Sequence, residues 1–243
     1  MTAHSTWFIS DLHLDAKRPE IVHAFIQLLG SAKGQASALY ILGDLFEYWI
    51  GDDIVDSPAG QLVTPILASL KQLSDQGTQL YFTHGNRDFL IGERFSEMTG
   101  CTLLPEQQVI DLYGVPTLLM HGDTLCTDDV EYQELRKMFY DKTRRAQFLA
   151  LDFESRIAEA NRIREISQSK MQDKSDEIMD VNPQAVAQTM RQAAVTQLIH
   201  GHTHRPAIHE FELDGQAAKR IVLGDWYHQM SCLKVTEGQF DLS

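Results

Sequence analysis

Five short stretches of this chain bring an oxygen or imidazole donor close together with other donors or with glycine. They are Asp11-Leu12-His13, Gly43-Asp44, Gly85-Asn86-Arg87-Asp88, His121-Gly122-Asp123 and Gly201-His202-Thr203-His204. Each one alone is ordinary turn, cap or structural chemistry, since Asp and Asn readily turn a chain and Asp caps helices. Each also follows a short apolar run, and five such ends in one polypeptide point to a shared centre. The donors Asp11, His13, Asp44, Asn86, His121, His202 and His204 include no thiolate. That mixture suits Mn²⁺ or Fe²⁺ better than a structural zinc. A carboxylate at a strand end can serve two cations, one through each oxygen, and Asp44 is placed to be that bridge. With Asp44 counted twice, seven residues supply eight contacts, four for each cation, and leave room for water and substrate. The chemistry predicted is that of a two-metal hydrolase.

Strands alternating with helices are needed to collect such donors. Apolar runs predict strands at 6–10, 39–42, 79–83, 117–120 and 197–199, each ending just before a donor. A helical stripe follows Pro19 (Ile21, Val22, Phe25, Ile26, Leu28, Leu29). A second helix is predicted with Thr64 as cap and Pro65 in its first turn, ending at Gly77, and a third opens at Asn182-Pro183. The segment 103–114 reads as strand and turn. Segments 208–213, 220–223 and 232–235 read as antiparallel strands, with Asp214-Gly215 as a hairpin turn. Between 127 and 180 the chain becomes polar, basic and helical, as an insertion would. The expectation is an α/β fold with ligands gathered at strand ends.

Composition narrows the function. The 243 residues are 43% hydrophobic, enough for a sizeable core. No apolar run approaches the roughly 18 residues of a membrane span, and no basic-then-apolar start suggests a secretory signal. Cys101, Cys126 and Cys232 are odd in number and never form Cys-x-x-Cys, which suits a reducing compartment. A net charge of −13 argues against nucleic acid as a partner. That charge is uneven: 136–174 holds ten of the 21 basic residues and carries +4, against −17 elsewhere. A basic island on an acidic protein predicts an anionic partner there.

Asp11-x-His13, Gly43-Asp44, Gly85-Asn86 and Gly201-His202-x-His204 resemble the motifs of the calcineurin-like metallophosphoesterases. The resemblance implies a four-layer αββα sandwich, a single domain over 1–243 with a helical lid inserted at 127–180. It also implies two Mn²⁺ per chain, one held by Asp11, His13, Asp44 and His204, the other by Asp44, Asn86, His121 and His202. The stretches GDLFEYWIGDD, HGNRDFL, HGDTLCTDD, IMDVN and IHGHTHRPA are similar to one branch of that family. Its members hydrolyse the pyrophosphate of UDP-2,3-diacylglucosamine in lipid A synthesis. By this resemblance Asn86, Arg87 and His202 are catalytic, and they bind substrate together with Asp129, Ser167 and Lys174. Met171 stands where the branch often has Asn. The partners implied are a lipid-linked nucleotide sugar and an anionic inner-membrane surface, with no nucleic acid and no obligate protein partner. The location implied is cytoplasmic, peripheral to the inner membrane.

The residue after Asn86 separates reaction types. Protein phosphatases of this family carry Gly-Asn-His-Glu, whose His helps an alkoxide depart, whereas this chain has Gly85-Asn86-Arg87-Asp88. A departing phosphate monoester, with a second pKa of about 6, needs no proton donor. A fixed guanidinium that neutralises phosphoryl charge is of more use, so Arg87 is expected to stabilise the transition state. The alternative is a surface ion pair with Asp88. The helical insertion is the expected acyl-chain site; the alternative is an amphipathic helix pair with its charges in water. His84 and His200 are expected to orient neighbouring ligands, and His4, His23, His209 and His228 to be surface or structural.

Overall fold

The computed structural model describes residues 5–171, 180–227 and 230–243, with 166–171 as backbone only. The first half holds β1 (Ser5–Ile9), α1 (Pro19–Ala32), β2 (Ala36–Leu42), α2 (Gly60–Asp75), β3 (Gln79–Thr83), α3 (Glu93–Thr99) and β4 (Cys101–Leu103). Next come β5 (Gln107–Leu112), β6 (Val115–Met120), α4 (Val130–Tyr140), α5 (Lys142–Leu149) and α6 (Phe153–Met171). The chain ends with α7 (Pro183–Gln192), β7 (Gln197–His200), β8 (Ala207–Leu213), β9 (Gln216–Val222), β10 (Leu233–Thr236) and β11 (Gln239–Leu242).

Two sheets form, in the orders β11-β10-β1-β2-β3-β4 and β5-β6-β7-β9-β8. Strands β1, β2 and β3 run parallel, as do β6 and β7. Side chains on β1 and β2 alternate between two cores. Phe8, Tyr40 and Leu42 face the second sheet, where they meet Leu119, Ile199 and Ile221. Trp7, Ile9, Leu39 and Ile41 face the other way, onto Phe25, Ile66, Leu70 and Phe95 of α1–α3. Beyond the second sheet, α7 buries Val186 and Met190 against Leu118 and Leu198. The layers are therefore helix, sheet, sheet, helix. Burial on both faces explains why the central strands read as unbroken apolar runs.

Several sequence expectations need correction. Helix α2 starts at Gly60, ahead of Thr64, and encloses Pro65. Ser57 Oγ accepts from Ala59 N at 3.1 Å before the first turn, and Val63 extends the buried stripe by one turn. Burial of that stripe outweighs the one helical hydrogen bond a proline cannot donate. The segment 103–114 divides between two sheets, because the chain crosses from β4 to β5 around Pro105. Helix α3 has no strong periodicity and is closed by Gly100 in the left-handed region (φ 76°). The Asp214-Gly215 turn is as expected, with φ of 52° and 79°, matching the twist of the β8–β9 hairpin.

Helices α4–α6 fall within 127–180 and lie over the loops that follow β2 and β3. Arg156 of α6 is buried (4% exposed); its Nη1 donates to Ile50 O at 2.7 Å and to Asp53 Oδ1 at 2.9 Å. Gly51, at φ 132°, makes room for it, since a Cβ there would overlap the Arg156 guanidinium. No helix among the described residues is long and apolar enough to cross a membrane.

Candidate metal centre

Every predicted donor sits within four residues of a strand's C-terminal end. Asp11 and His13 follow β1, Asp44 follows β2, Asn86 follows β3, His121 follows β6, and His202 and His204 follow β7. Beyond β1 and β2 the two loops stay in register, with Asp11 N donating to Gly43 O (3.2 Å) and His13 N to Asp44 O (3.0 Å). Beyond β6 and β7 of the second sheet, Gly201 N donates to His121 O at 2.8 Å. Asp11, His13, Asp44, His202 and His204 all have φ between 50° and 69°, in the left-handed region. Non-glycine residues hold that conformation only where their surroundings impose it, and such residues cluster at functional sites. Left-handed backbone at alternate residues, Asp11 and His13, then His202 and His204, aims each pair of side chains into one space.

Glycines allow the close approach. Gly43, at φ 87°, passes so near Gly85 that a Cβ would lie 2.6 Å from the Gly85 Cα. A Cβ on Gly85 would overlap Asp44 Oδ1, and one on Gly201 would overlap Ser10 Oγ and Asp11 Oδ2. Gly85→Ala is therefore expected to destabilise the fold by about 1–3 kcal/mol as the overpacked loops move apart. The check is the denaturation midpoint of the variant beside wild type; an unchanged midpoint would mean that this crowding is absent in solution.

Within this space donors face donors. His13 Nε2 lies 3.4 Å from His204 Nε2, and His202 Nδ1 lies 3.2 Å from His121 Nε2. Asp44 Oδ2 stands between the pairs, 3.8 Å from His13 Nε2 and 3.7 Å from His121 Nε2. Asn86 Oδ1 is 3.0 Å from His121 Nε2, and Asp11 Oδ1 is 3.4 Å from His204 Nε2. Two overlapping groups can each hold a cation, Asp11 with His13 and His204, and Asp11 with Asp44 and His121. Ligand bonds of roughly 2.0–2.2 Å would set neighbouring donors about 3.0–3.5 Å apart, close to the spacings here. Asp11 Oδ1 is buried with no hydrogen-bond partner, which a cation would supply. The residues present fit a divalent pair.

Each of three outward imidazole nitrogens faces an acceptor, although His13 Nδ1 makes no hydrogen bond to it. His121 Nδ1 meets Leu42 O at 2.8 Å, His13 Nδ1 lies 3.2 Å from Glu47 Oε2, and His204 Nδ1 lies 3.1 Å from Asp225 Oδ2. Such contacts fix which nitrogen keeps its proton and leave the inward lone pair free. Burial opposes a charge on His121, yet Asp44, Asp11 and Asp123 push its imidazolium up to about 9. Burial and then the neighbouring His121 push His202 down to about 4. Burial likewise opposes charge on Asp11, but His204, His121 and His13 hold its carboxyl well below the usual range. Glu47 and Asp225 carry no motif of their own and were missed in the sequence; Glu47 was visible only as an acid inside GDLFEYWIGDD.

Asp88 is fully buried and accepts from the backbone N–H of Gly85 (2.9 Å), Asp44 (3.2 Å) and Leu45 (2.7 Å). Its oxygens brace the two donor loops, so the Arg87–Asp88 surface pair is not what forms. Arg87 N donates to Asp44 Oδ1 at 2.8 Å, and its Nε is buried without a hydrogen-bond partner. His84 and His200 bond to carbonyls instead of ligand side chains, Ile91 O at 2.7 Å and Gly201 O at 2.8 Å. Asp123, not foreseen as a partner in its own right, accepts from Tyr132 Oη (2.9 Å) and Arg136 Nε (2.6 Å) on α4. Asp129 caps α4 by accepting from Tyr132 N at 3.0 Å. The Ser167 and Met171 side chains, Lys174, His4 and His228 lie outside the described residues.

A cavity of about 410 Å³ opens onto Asn86 and Arg87. Trp49, Ile50, Phe89 and Leu90 line it from the core loops, and Leu135, Phe139, Phe148 and Ile163 from α4–α6. The model of the calcineurin-like phosphoesterase family matches residues 4–206. This chain belongs to that family. Among its relatives, the UDP-2,3-diacylglucosamine hydrolase of Serratia proteamaculans (strain 568) is 49% identical, over 98% of each chain. The protein of the same name from Stenotrophomonas maltophilia (strain K279a) is also 49% identical, over 98% of this chain and 97% of its own. That of Pseudomonas paraeruginosa (strain DSM 24068 / PA7) is 49% identical over 95% of each. As in any calcineurin-like phosphoesterase, the family implies divalent metal, and the donor set of this member is suited to it.

Proposed function

We propose that this protein hydrolyses the pyrophosphate of UDP-2,3-diacylglucosamine to UMP and 2,3-diacylglucosamine 1-phosphate, a step of lipid A synthesis, with two Mn²⁺ ions. The observation that carries the reading is an apolar cavity of about 410 Å³ lined at one end by Asn86, which belongs to the donor cluster, and by Arg87. The names of the relatives point the same way. Asp11, His13, Asp44 and His204 would hold one cation, and Asp44, Asn86, His121 and His202 the other. Such a pair, when bound, acidifies water and neutralises phosphoryl oxygens. Water attacks one phosphorus, the P–O bond to the bridging oxygen breaks, and that oxygen leaves on the other phosphate.

The chain's own groups divide the remaining work. Asn86 and His202 face the phosphoryl group from the two sheets, and Arg87 neutralises charge that develops on it. The cavity takes the acyl chains, and α4–α6 form a lid that excludes water from the reacting bond. Asp129 opens this lid at the start of α4, with Ser167 and Lys174 as further substrate contacts. Val130, Met138, Leu149 and Leu151 are exposed on or beside the lid helices among basic residues, a surface suited to reversible docking on an anionic bilayer from the cytoplasmic side.

The test compares UDP-2,3-diacylglucosamine with unacylated UDP-glucosamine at saturating Mn²⁺, then repeats the assay after chelation. The acylated substrate is expected to have a kcat/KM higher by about 10² or more, since two buried chains contribute several kcal/mol. Chelation is expected to abolish turnover until Mn²⁺ is restored. Equal rates on both substrates would refute the acyl role of the cavity, and full activity in chelator would refute the metal centre.

A further inference from the structure

Glu47 is 8% exposed and stands between the donor cluster and the lid. Its backbone is held by Glu47 N donating to Leu14 O at 3.2 Å, beside the Leu14–Phe46 bridge that ties the β1 and β2 loops. Each carboxylate oxygen meets a different part of the molecule. Oε2 lies 3.2 Å from His13 Nδ1 on the core, and Oε1 lies 2.9 Å from Arg164 Nη2 on α6. The opposite ring nitrogen, His13 Nε2, is the one that faces His204 and Asp44. His13 Nδ1 has no hydrogen-bond partner, so Glu47 acts on it by charge at 3.2 Å, and a carboxylate behind a ligand imidazole favours the proton on the outer nitrogen and strengthens the inner lone pair as a donor. The equivalent supports of His204 and His121 are Asp225 and the Leu42 carbonyl, both outside the α4–α6 region. Among the described residues, only His13 faces a carboxylate whose second oxygen is held by a lid helix.

We infer that Glu47 is a positioning residue that couples the seating of α6, through Arg164, to the donor strength of His13 and so to one of the two cation positions. Seating α6 then tightens the cation shared by Asp11, His13, Asp44 and His204, while His121 and His202 of the other position have no such link to α6 among the described residues. When α6 moves away, Glu47 loses the partner of Oε1 and the His13 ring gains freedom to turn. The inference rests on the proposed metal centre, and its test is read by binding, so the two can fail separately.

The experiment is calorimetric titration of Mn²⁺ into the full-length protein after chelation, for wild type, Arg164→Ala, Arg164→Lys and Glu47→Gln. Wild type is expected to bind two Mn²⁺. Arg164→Ala, far enough from the donors to leave them in place, is expected to weaken one of the two by about 10-fold and spare the other. Glu47→Gln should weaken the same step, and Arg164→Lys should restore most of the loss, because a cation is again present opposite Oε1. Two steps of wild-type affinity in Arg164→Ala overturn the coupling. So does equal weakening of both steps together with a lowered melting temperature, the mark of a general structural role. A wild type that binds no Mn²⁺ overturns the metal centre and the coupling with it.

Discussion

Asp44→Asn is expected to lower kcat on UDP-2,3-diacylglucosamine by about 10³-fold or more, the largest loss from any single conservative change in this chain. Asp44 Oδ2 lies 3.8 Å from His13 Nε2 and 3.7 Å from His121 Nε2, so one carboxylate serves both imidazole pairs. Its other oxygen accepts from Arg87 N at 2.8 Å. An amide keeps one oxygen donor, offers N–H groups on the other side and removes the charge that would offset the two proposed dications. Backbone effects are small in this variant, because Asn is among the few residues that tolerate the φ of 53° found at this position. The measurement is kcat at saturating Mn²⁺ together with the number of Mn²⁺ retained after gel filtration. A variant within tenfold of wild type and still carrying two ions would rule out the bridge.

Arg87→Ala comes second, with an expected loss of about 10²–10³ in kcat and a change in KM of a few-fold at most. The Nε of this side chain is buried with no hydrogen-bond partner, and Asp88 is fully engaged by backbone amides. Its guanidinium is thus held at the cavity mouth without the neighbour that would have made it a surface pair. In the proposed scheme the partner of this guanidinium is a phosphoryl group of the substrate. Because Arg87 holds no cation in the proposed scheme, Mn²⁺ stoichiometry should stay at wild type while turnover falls. Normal turnover with metal bound would remove Arg87 from the reaction. Loss of metal in parallel with activity would show that the side chain helps to hold the donor cluster together, because the backbone N–H that Asp44 Oδ1 accepts is kept in the variant.

The strand framework was legible because β1, β2, β3, β6 and β7 are short, apolar and punctuated by donors, so that periodicity and turn chemistry agreed. Most of the donor set could be named from the same punctuation: Asp, Asn or His beside Gly at a strand end is a local signal. The supports of that set were not legible. Glu47 and Asp225 meet His13 and His204 across breaks of 34 and 21 residues in sequence, and nothing local distinguishes them from surface acids. The bracing role of Asp88 is hidden for the same reason, since apart from Gly85 its backbone partners lie in a loop more than 40 residues away. The error at α2 had another source. Pro65 reads as a helix start, whereas burial of Val63 carries the helix one turn further back. The crossing from β4 to β5 was invisible because strand pattern does not reveal which sheet a strand will join.

The five left-handed donors carry a consequence for heat tolerance. Each costs on the order of 1–2 kcal/mol relative to relaxed backbone, and together they are comparable with the roughly 5–15 kcal/mol net stability of an ordinary domain. Glycine would relieve any of them, yet at Asp11, His13, Asp44, His202 or His204 it would delete the donor in the same stroke. Lineages or engineers seeking a hardier version of this molecule are therefore barred from its most strained positions. They must gather resistance instead from peripheral loops, helix ends and the packing of α4–α6.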